Sequence, residues 1–412
     1  MPETAHVLLL LSLVLLVALV TERLAGWLRL PFNLLLVIVG FVGSEALIAL
    51  GVDIGLRWED FHDLVFFILL PILVFDATVR LNYRDLLRDL LPILVMAVPM
   101  ILVSTALMGT MIYYAINHPA GFPWLAALIT GAMLSATDPD AAIAVLKQSH
   151  APRRLIVMLE GESLFNNATA IVTFSLLVGL AVEMASFDTL ADVGWLQITL
   201  RFGLVFFGSL GAGVVAGVLA CALMLWFHRP VNIGLISVVI AYLVYVLAEE
   251  VLQLSGVMTL LSCGLLIGEF LRRREVVAEE TFFCHLWDLL GYVAGAMIFI
   301  VGGATITTTM FSQRWLAMLA GIVAALLART LLVHGTLSVL GRMPGVEPLP
   351  WRQQFILNWG GGVRGAVTMA LALSLPLQLD YWFTIQSIGY GVVIFSLLAQ
   401  AGTMRLFVAR IL

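Results

Sequence analysis

Apolar residues along this chain come in stretches of about 18 or more, separated by short clusters of Pro, Gly and charged residues. Such runs are too long and too evenly apolar for barrel strands, so the spanning elements they predict are helices. Hydropathy and turn residues divide the chain into about thirteen spans, at roughly 5–22, 30–50, 61–79, 90–116, 123–147, 155–182, 196–227, 231–250, 254–271, 283–309, 315–341, 352–376 and 382–409. The start, MPETAHVLLLLSLVLL, has no basic n-region and no small-residue cleavage site, and reads as the first span. The expected class is an all-α polytopic membrane protein in which residues 1–412 form a single membrane domain.

Thirteen spans fit two six-helix repeats separated by a seventh span, so that the repeats enter the bilayer from opposite sides. Span 5 then corresponds to span 12, and each carries the strongest helix-breaking interruption of its half. Span 5 contains SATDPDAAIAV, where Pro139 removes a backbone donor and disfavours helix at the residue before it. Span 12 contains WGGGVRGAVTMALALSLP, where Gly360, Gly361, Gly362 and Gly365 weaken the helix around Arg364. Paired broken helices point to a midplane ion site, because half-helix ends present carbonyls to a cation and N–H groups to an anion. For span 12 alone, the glycines are also compatible with close helix packing.

Composition sharpens the class. Hydrophobic residues make up 62 % and charged residues only 11 %, against about a quarter charged in soluble domains. Mean hydropathy is +1.07. Of the 21 basic residues, Arg201, Arg329 and Arg364 lie inside spans. Only Arg57 and Arg314 fall at one set of loops; the others sort to the opposite loops and the C-terminus. The positive-inside rule therefore places the N-terminus outside and the C-terminus in the cytoplasm. With the basic residues sorted to one side, the net charge of −5 says little about partners. Cys221, Cys263 and Cys284 lie within or beside apolar spans and suggest neither a disulfide framework nor a zinc cluster.

Ionisable groups at membrane depth cost at least about 2.5 kcal/mol each, so a cluster of them needs a reason. Asp76 lies near the inner end of span 3, Asp138 and Asp140 flank Pro139, and EGESLFNNATAIV opens span 6 with Glu160 and Glu162. At 100° per residue Ser163 falls between Asn166 and Asn167 on one arc, with Glu160 beside Asn167 and Glu162 beside Asn166. Together these groups can line a hydrated cavity. Asp138 reads as a functional carboxylate or as a helix cap, and Asp76 as a site residue or a side chain snorkelling to the surface. Arg329 and Arg364 cannot be deprotonated and need counter-charges. Arg329 can pair with Glu162, and Arg364 can balance the carbonyl end of a half-helix. Asp288, in HLWDLLGYVAGAMIFIVGG, can simply sit at the inner end of span 10.

TDPDAAIAV, EGESLFNNATAIV and GGGVRGAVTMALALSLP resemble, in order, the signature segments of bacterial NhaP-type sodium/proton antiporters, relatives of the animal sodium/proton exchangers. LPILVFDATVRLNYRDL resembles the third-span segment of that family, which usually has Glu where this chain has Asp76, and the Asp288 segment resembles the tenth-span pattern. The resemblance runs over essentially the whole chain. It implies a core of about 90–182 and 315–409 moving against a dimer-forming scaffold of about 1–79 and 196–309. It implies cation ligands at Thr137 (through its carbonyl), Asp138, Ser163, Asn166 and Asp76, a structural pair between Glu162 and Arg329, and Arg364 as the charge of the broken span 12. The implied partners are Na⁺, with Li⁺ or K⁺ as alternatives, protons, the lipid bilayer and a second copy of the chain. No cofactor and no nucleic acid is implied, and the implied location is the bacterial plasma membrane.

Two departures from the family pattern bear on function. Where the family typically has Asn-Asp, this chain has Asn166-Asn167, so the acid at which proton and Na⁺ compete is an amide; Na⁺ would then sit among Asp138, Ser163, Asn167 and Asp76. An amide offers a cation only a neutral oxygen and exchanges no proton. Asp140, in turn, stands where the family usually has an apolar residue. Three readings follow: an introduced substitution that impairs or traps the transporter, an antiporter whose exchanging carboxylate is Asp138 or Asp140, or a non-transporting sensor or scaffold on the antiporter fold. A passive channel would need a continuous polar stripe, and an intramembrane hydrolase would need a base near Ser163; the sequence displays neither.

Overall fold

The structure, a computed structural model, describes residues 3–28, 30–51, 63–81, 83–116, 121–149, 151–184, 195–227, 229–274, 277–342 and 347–411. Arg57, used above for orientation, lies outside the described residues. All regular structure among the described residues is helical, as expected where no water is present to satisfy open backbone groups. Helices α1 (Glu3–Leu28) and α2 (Phe32–Ala49) are separated at Pro31. A π-helical turn, Leu64–Leu69, leads into α3 (Leu70–Arg80) and a short α4 (Tyr83–Arg88). Helices α5 (Leu90–Ala97) and α6 (Pro99–Ala115) meet at Pro99, whose missing N–H interrupts the helix.

Span 5 is two half-helices, α7 (Trp124–Ser135) and α8 (Asp140–Gln148), parted by 136–139. Two unbroken helices follow, α9 (Arg153–Met184) and α10 (Trp195–Trp226). Next come α11 (Pro230–Val246), α12 (Gly256–Arg274), α13 (Val277–Thr305) and α14 (Thr308–Leu340). Span 12 is likewise broken, into α15 (Trp351–Gly360) and α16 (Ala366–Leu373). The last span is α17 (Trp382–Phe395), a π-helical turn Ser396–Ala401, and α18 (Gly402–Ile411). Among the described residues, 9 helical runs are long and apolar enough to cross a membrane. The other expected spans fall on helices that are short, broken or charged: the α3 run, α7 with α8, α12, and α15 with α16.

Helix α13 packs on α2, α10 on α12, and α12 and α13 on α3. Elsewhere α6 packs on α7 and α14, α14 on α17, and α9 on α7 and α5. Lipid tails are as apolar as the side chains, so association rests on close backbone approach at small residues. A side chain at Gly40 would meet the Ile300 carbonyl, and one at Gly303 the Val37 carbonyl. Gly303→Leu is therefore expected to separate α2 from α13 and to cost about 1–3 kcal/mol. A thermal-unfolding midpoint in detergent several degrees below the parent would show this, and an unchanged midpoint would contradict it.

Candidate ion site

The two broken spans cross at their interruptions, and hydrogen bonds between them replace those each helix lacks. The Asp138 N–H donates to the Val363 carbonyl at 2.8 Å, and the Thr368 hydroxyl donates to the Ala136 carbonyl at 3.2 Å. Asp138 lies at the positive end of α16, where its Oδ2 accepts the Ala366 N–H at 3.1 Å. Its Oδ1 accepts the Asp140 N–H at 3.4 Å. Gly365 is required here, because a Cβ would collide with the Asp138 carboxyl. The opposite dipole ends receive the opposite charge. The Arg364 Nε donates to Leu134 O, near the end of α7, at 2.9 Å, and another guanidinium N–H reaches Gly362 O just beyond α15. Arg364 is 3 % exposed, and its countercharge is therefore the carbonyl ends of two half-helices.

The polar opening of α9 lies against this crossing. Ser163 donates to the Thr137 carbonyl at 2.8 Å, the Asn166 amide to the Thr137 hydroxyl at 2.9 Å, and the Asn167 amide to Ser163 at 3.5 Å. The Oδ1 atoms of Asn166 and Asn167 are buried without a hydrogen-bond partner. A buried acceptor left in that state is costly, and such groups call for a functional explanation. Beside a carboxylate, neutral oxygens of this kind form the ligand set that hard cations take. Glu162 serves another purpose: it pairs with Arg329, both being buried, and Arg329 also donates to Leu357 O at 3.2 Å. The pair ties α9 to α14 and α15. Glu160 pairs with Lys147 at 2.8 Å.

A cavity of about 640 Å³ opens onto this region, lined among others by Asp76, Arg80, Asp138, Asp140, Glu160, Ser163, Asn167 and Asp288. Thr137 and Asn166 lie behind its wall, and Glu162, Arg329 and Arg364 stand away from it. Asp140 is exposed to the open space. Asp76 does not snorkel. It packs against Gly291, with its carboxylate held by Arg80 Nε and Nη2 at 2.9 Å each. The same guanidinium reaches Asp288 at 2.6 Å, so Asp288 belongs to an ion-pair cluster; it lies well inside α13 and does not mark a helix end. Sequence reasoning assigned Arg80 only to topology. Its signal was the four-residue spacing from Asp76, which places both on one helix face.

A family model described as "Sodium/hydrogen exchanger, transmembrane" matches residues 11–410. The Na(+)/H(+) antiporter ApNhaP of Aphanothece halophytica is 30 % identical over 417 residues, spanning 98 % of this chain and 74 % of its own. The Na(+)/H(+) antiporter NhaP of Pseudomonas aeruginosa is 31 % identical over 371 residues, spanning 86 % and 83 %. The solved sodium proton antiporter MjNhaP1 from Methanocaldococcus jannaschii superposes with a TM-score of 0.81 at 19 % identity, covering 100 % of this chain and 99 % of that one, and so shares its fold.

Removing one member of a buried ion pair strands the other, at about 3–5 kcal/mol. Arg329→Met should therefore lower the unfolding midpoint sharply, and adding Glu162→Gln should restore part of the loss. A double variant no more stable than Arg329→Met alone would show that the two charges are not mutual partners.

Proposed function

Because the chain belongs to the transmembrane sodium/hydrogen exchanger family, as an NhaP-type secondary transporter and not an enzyme, we propose that it exchanges Na⁺ or Li⁺ for H⁺ by alternating access, with Asp138 and Asp140 as the exchanging carboxylates. The observation that carries this reading is the crossing itself: Asp138 and Asn167 line one open cavity that also exposes Asp140, Asn166 bonds to Thr137 next to Asp138, and the amide oxygens of Asn166 and Asn167 are buried without partners. Thr137, Ser163, Asn166 and Asn167 supply neutral oxygen, and the negative charge comes from span 5. Protons and Na⁺ exclude one another at this centre, so loading either from its own side drives release of the other. A charged and unpaired site is costly to carry through the low-dielectric interior, and transit therefore favours the neutralised, loaded forms.

In this proposal the core of about 90–182 and 315–409 moves against a scaffold of about 1–79 and 196–309 that forms a homodimer in a bacterial inner membrane, N-terminus outside. The packing of α13 on α2 and α10 on α12, and separately of α14 on α6 and α17, supports that division. Movement between the groups would close the cavity that lies between α3 and α13 on one side and α8 and α9 on the other.

The amide at 167 favours a second reading, in which the chain is transport-impaired because its exchanging acid is missing. Proton flux driven by Na⁺ in proteoliposomes separates the two. The relocated site predicts exchange by the parent, its abolition by Asp138→Asn, and a loss of at least about tenfold in Asp140→Asn, equivalent to about 1.4 kcal/mol. Exchange by Asn167→Asp alone would instead place the exchanging acid at 167 and overturn the relocation.

A further inference from the structure

We propose that Arg80 is a tethered competitor for the transported cation: in the open cavity it occupies the carboxylate of Asp76, and it must swing away before Asp76 can join the ion. The inference rests on the cation-binding reading above and adds a residue that sets apparent affinity. Asp76 is the scaffold acid on the cavity wall, yet both of its oxygens are taken by Arg80 Nε and Nη2 at 2.9 Å. The carboxylate packs closely on the Gly291 backbone, where an added Cβ would collide with Asp76 Oδ2. A cation reaching Asp76 therefore competes with the guanidinium for the same two oxygens.

Displacement is feasible here and not at Arg329 or Arg364. Arg329 and Arg364 are buried and held among carbonyls or a buried carboxylate. The Arg80 side chain is 52 % exposed, and its third arm already rests on Asp288, itself 47 % exposed. The contact to Asp288 is exposed on both sides and of the weak kind, while Asp76 is the more buried end of the cluster, its side chain 15 % exposed. Asp288 retains the guanidinium once Asp76 releases it, and Asp140 faces Arg80 across the cavity as a further acceptor. The same walls carry Asp138, Glu160 and Lys147, with Lys147 already engaged by Glu160. Arg80 is thus the cavity cation that competes at Asp76.

The test is equilibrium binding of radiolabelled Na⁺ to the purified full chain in lipid nanodiscs. Arg80→Gln should tighten binding about fivefold, the scale of one ion pair at the upper end of the surface range. The shift should vanish when Arg80→Gln is made in an Asp76→Asn background. Lys147→Gln removes an equal charge from the same cavity and controls for the general field; it should tighten binding less than about twofold. If Arg80→Gln does not purify as a folded species, Arg80→Lys keeps the charge but loses the two-pronged grip, and should tighten binding about twofold. Unchanged or weaker binding, an equal shift in Lys147→Gln, a shift that persists in Asp76→Asn, or no saturable binding in any form would each overturn the role. Proton flux in proteoliposomes judges the antiport reading separately: a chain that binds Na⁺ with the expected shifts but moves no protons would sink antiport and leave the competitor role standing.

Discussion

In hydrocarbon, an interrupted helix strands carbonyls at one end and N–H groups at the other, with no water to satisfy them. The rest of this molecule is arranged around two such interruptions laid across each other. Asp138 covers the N–H end of α16, and Arg364 covers the carbonyl ends near α7 and α15. The Asp138 N–H and the Thr368 hydroxyl stitch the two breaks directly. A carboxylate and a guanidinium thereby lie at membrane depth, each with polar partners. The carboxylate faces a cavity and the arginine does not, and that asymmetry separates the chemical group from the structural one.

The ion pairs divide by the same criterion. Glu162 and Arg329 are buried together and fix α9 to α14, so their energetic role is large and static. Lys147 with Glu160, and Arg80 with Asp76 and Asp288, line an open cavity, where pairs are weak and changeable. A transporter needs both kinds. The first keeps the broken helices in register, and the second lets charges on facing walls rearrange as a cation arrives.

The double amide of EGESLFNNATAIV acquires a role in this setting. Its two free oxygens are buried, and Ser163 and Asn166 tie the segment by hydrogen bonds to Thr137, the neighbour of Asp138. Negative charge at the crossing comes from Asp138 and Asp140 on the span 5 side, while span 6 offers dipoles. On the proposed reading, proton and cation meet on one broken helix, close to the end of α16 whose dipole favours an anion.

Hydropathy alone carried the helical class, and the order of the spans, because length and apolarity in a bilayer leave helices as the only elements able to satisfy their own backbone. Pro139 and the glycines around Arg364 marked the two breaks, since backbone chemistry is local and visible in the chain. The pairing of Glu162 with Arg329 was also legible, as two charges that had to be neutralised. That Arg364 answers carbonyls was anticipated too; only the tertiary structure decided that they are those of Leu134 and Gly362, that Asn166 lies behind the cavity wall while Asn167 lines it, and that Arg80 joins Asp76 to Asp288. These depend on which helix faces lie within a few ångströms of each other. Coulomb and hydrogen-bond energies fall steeply with distance, and sequence separation carries no measure of that distance.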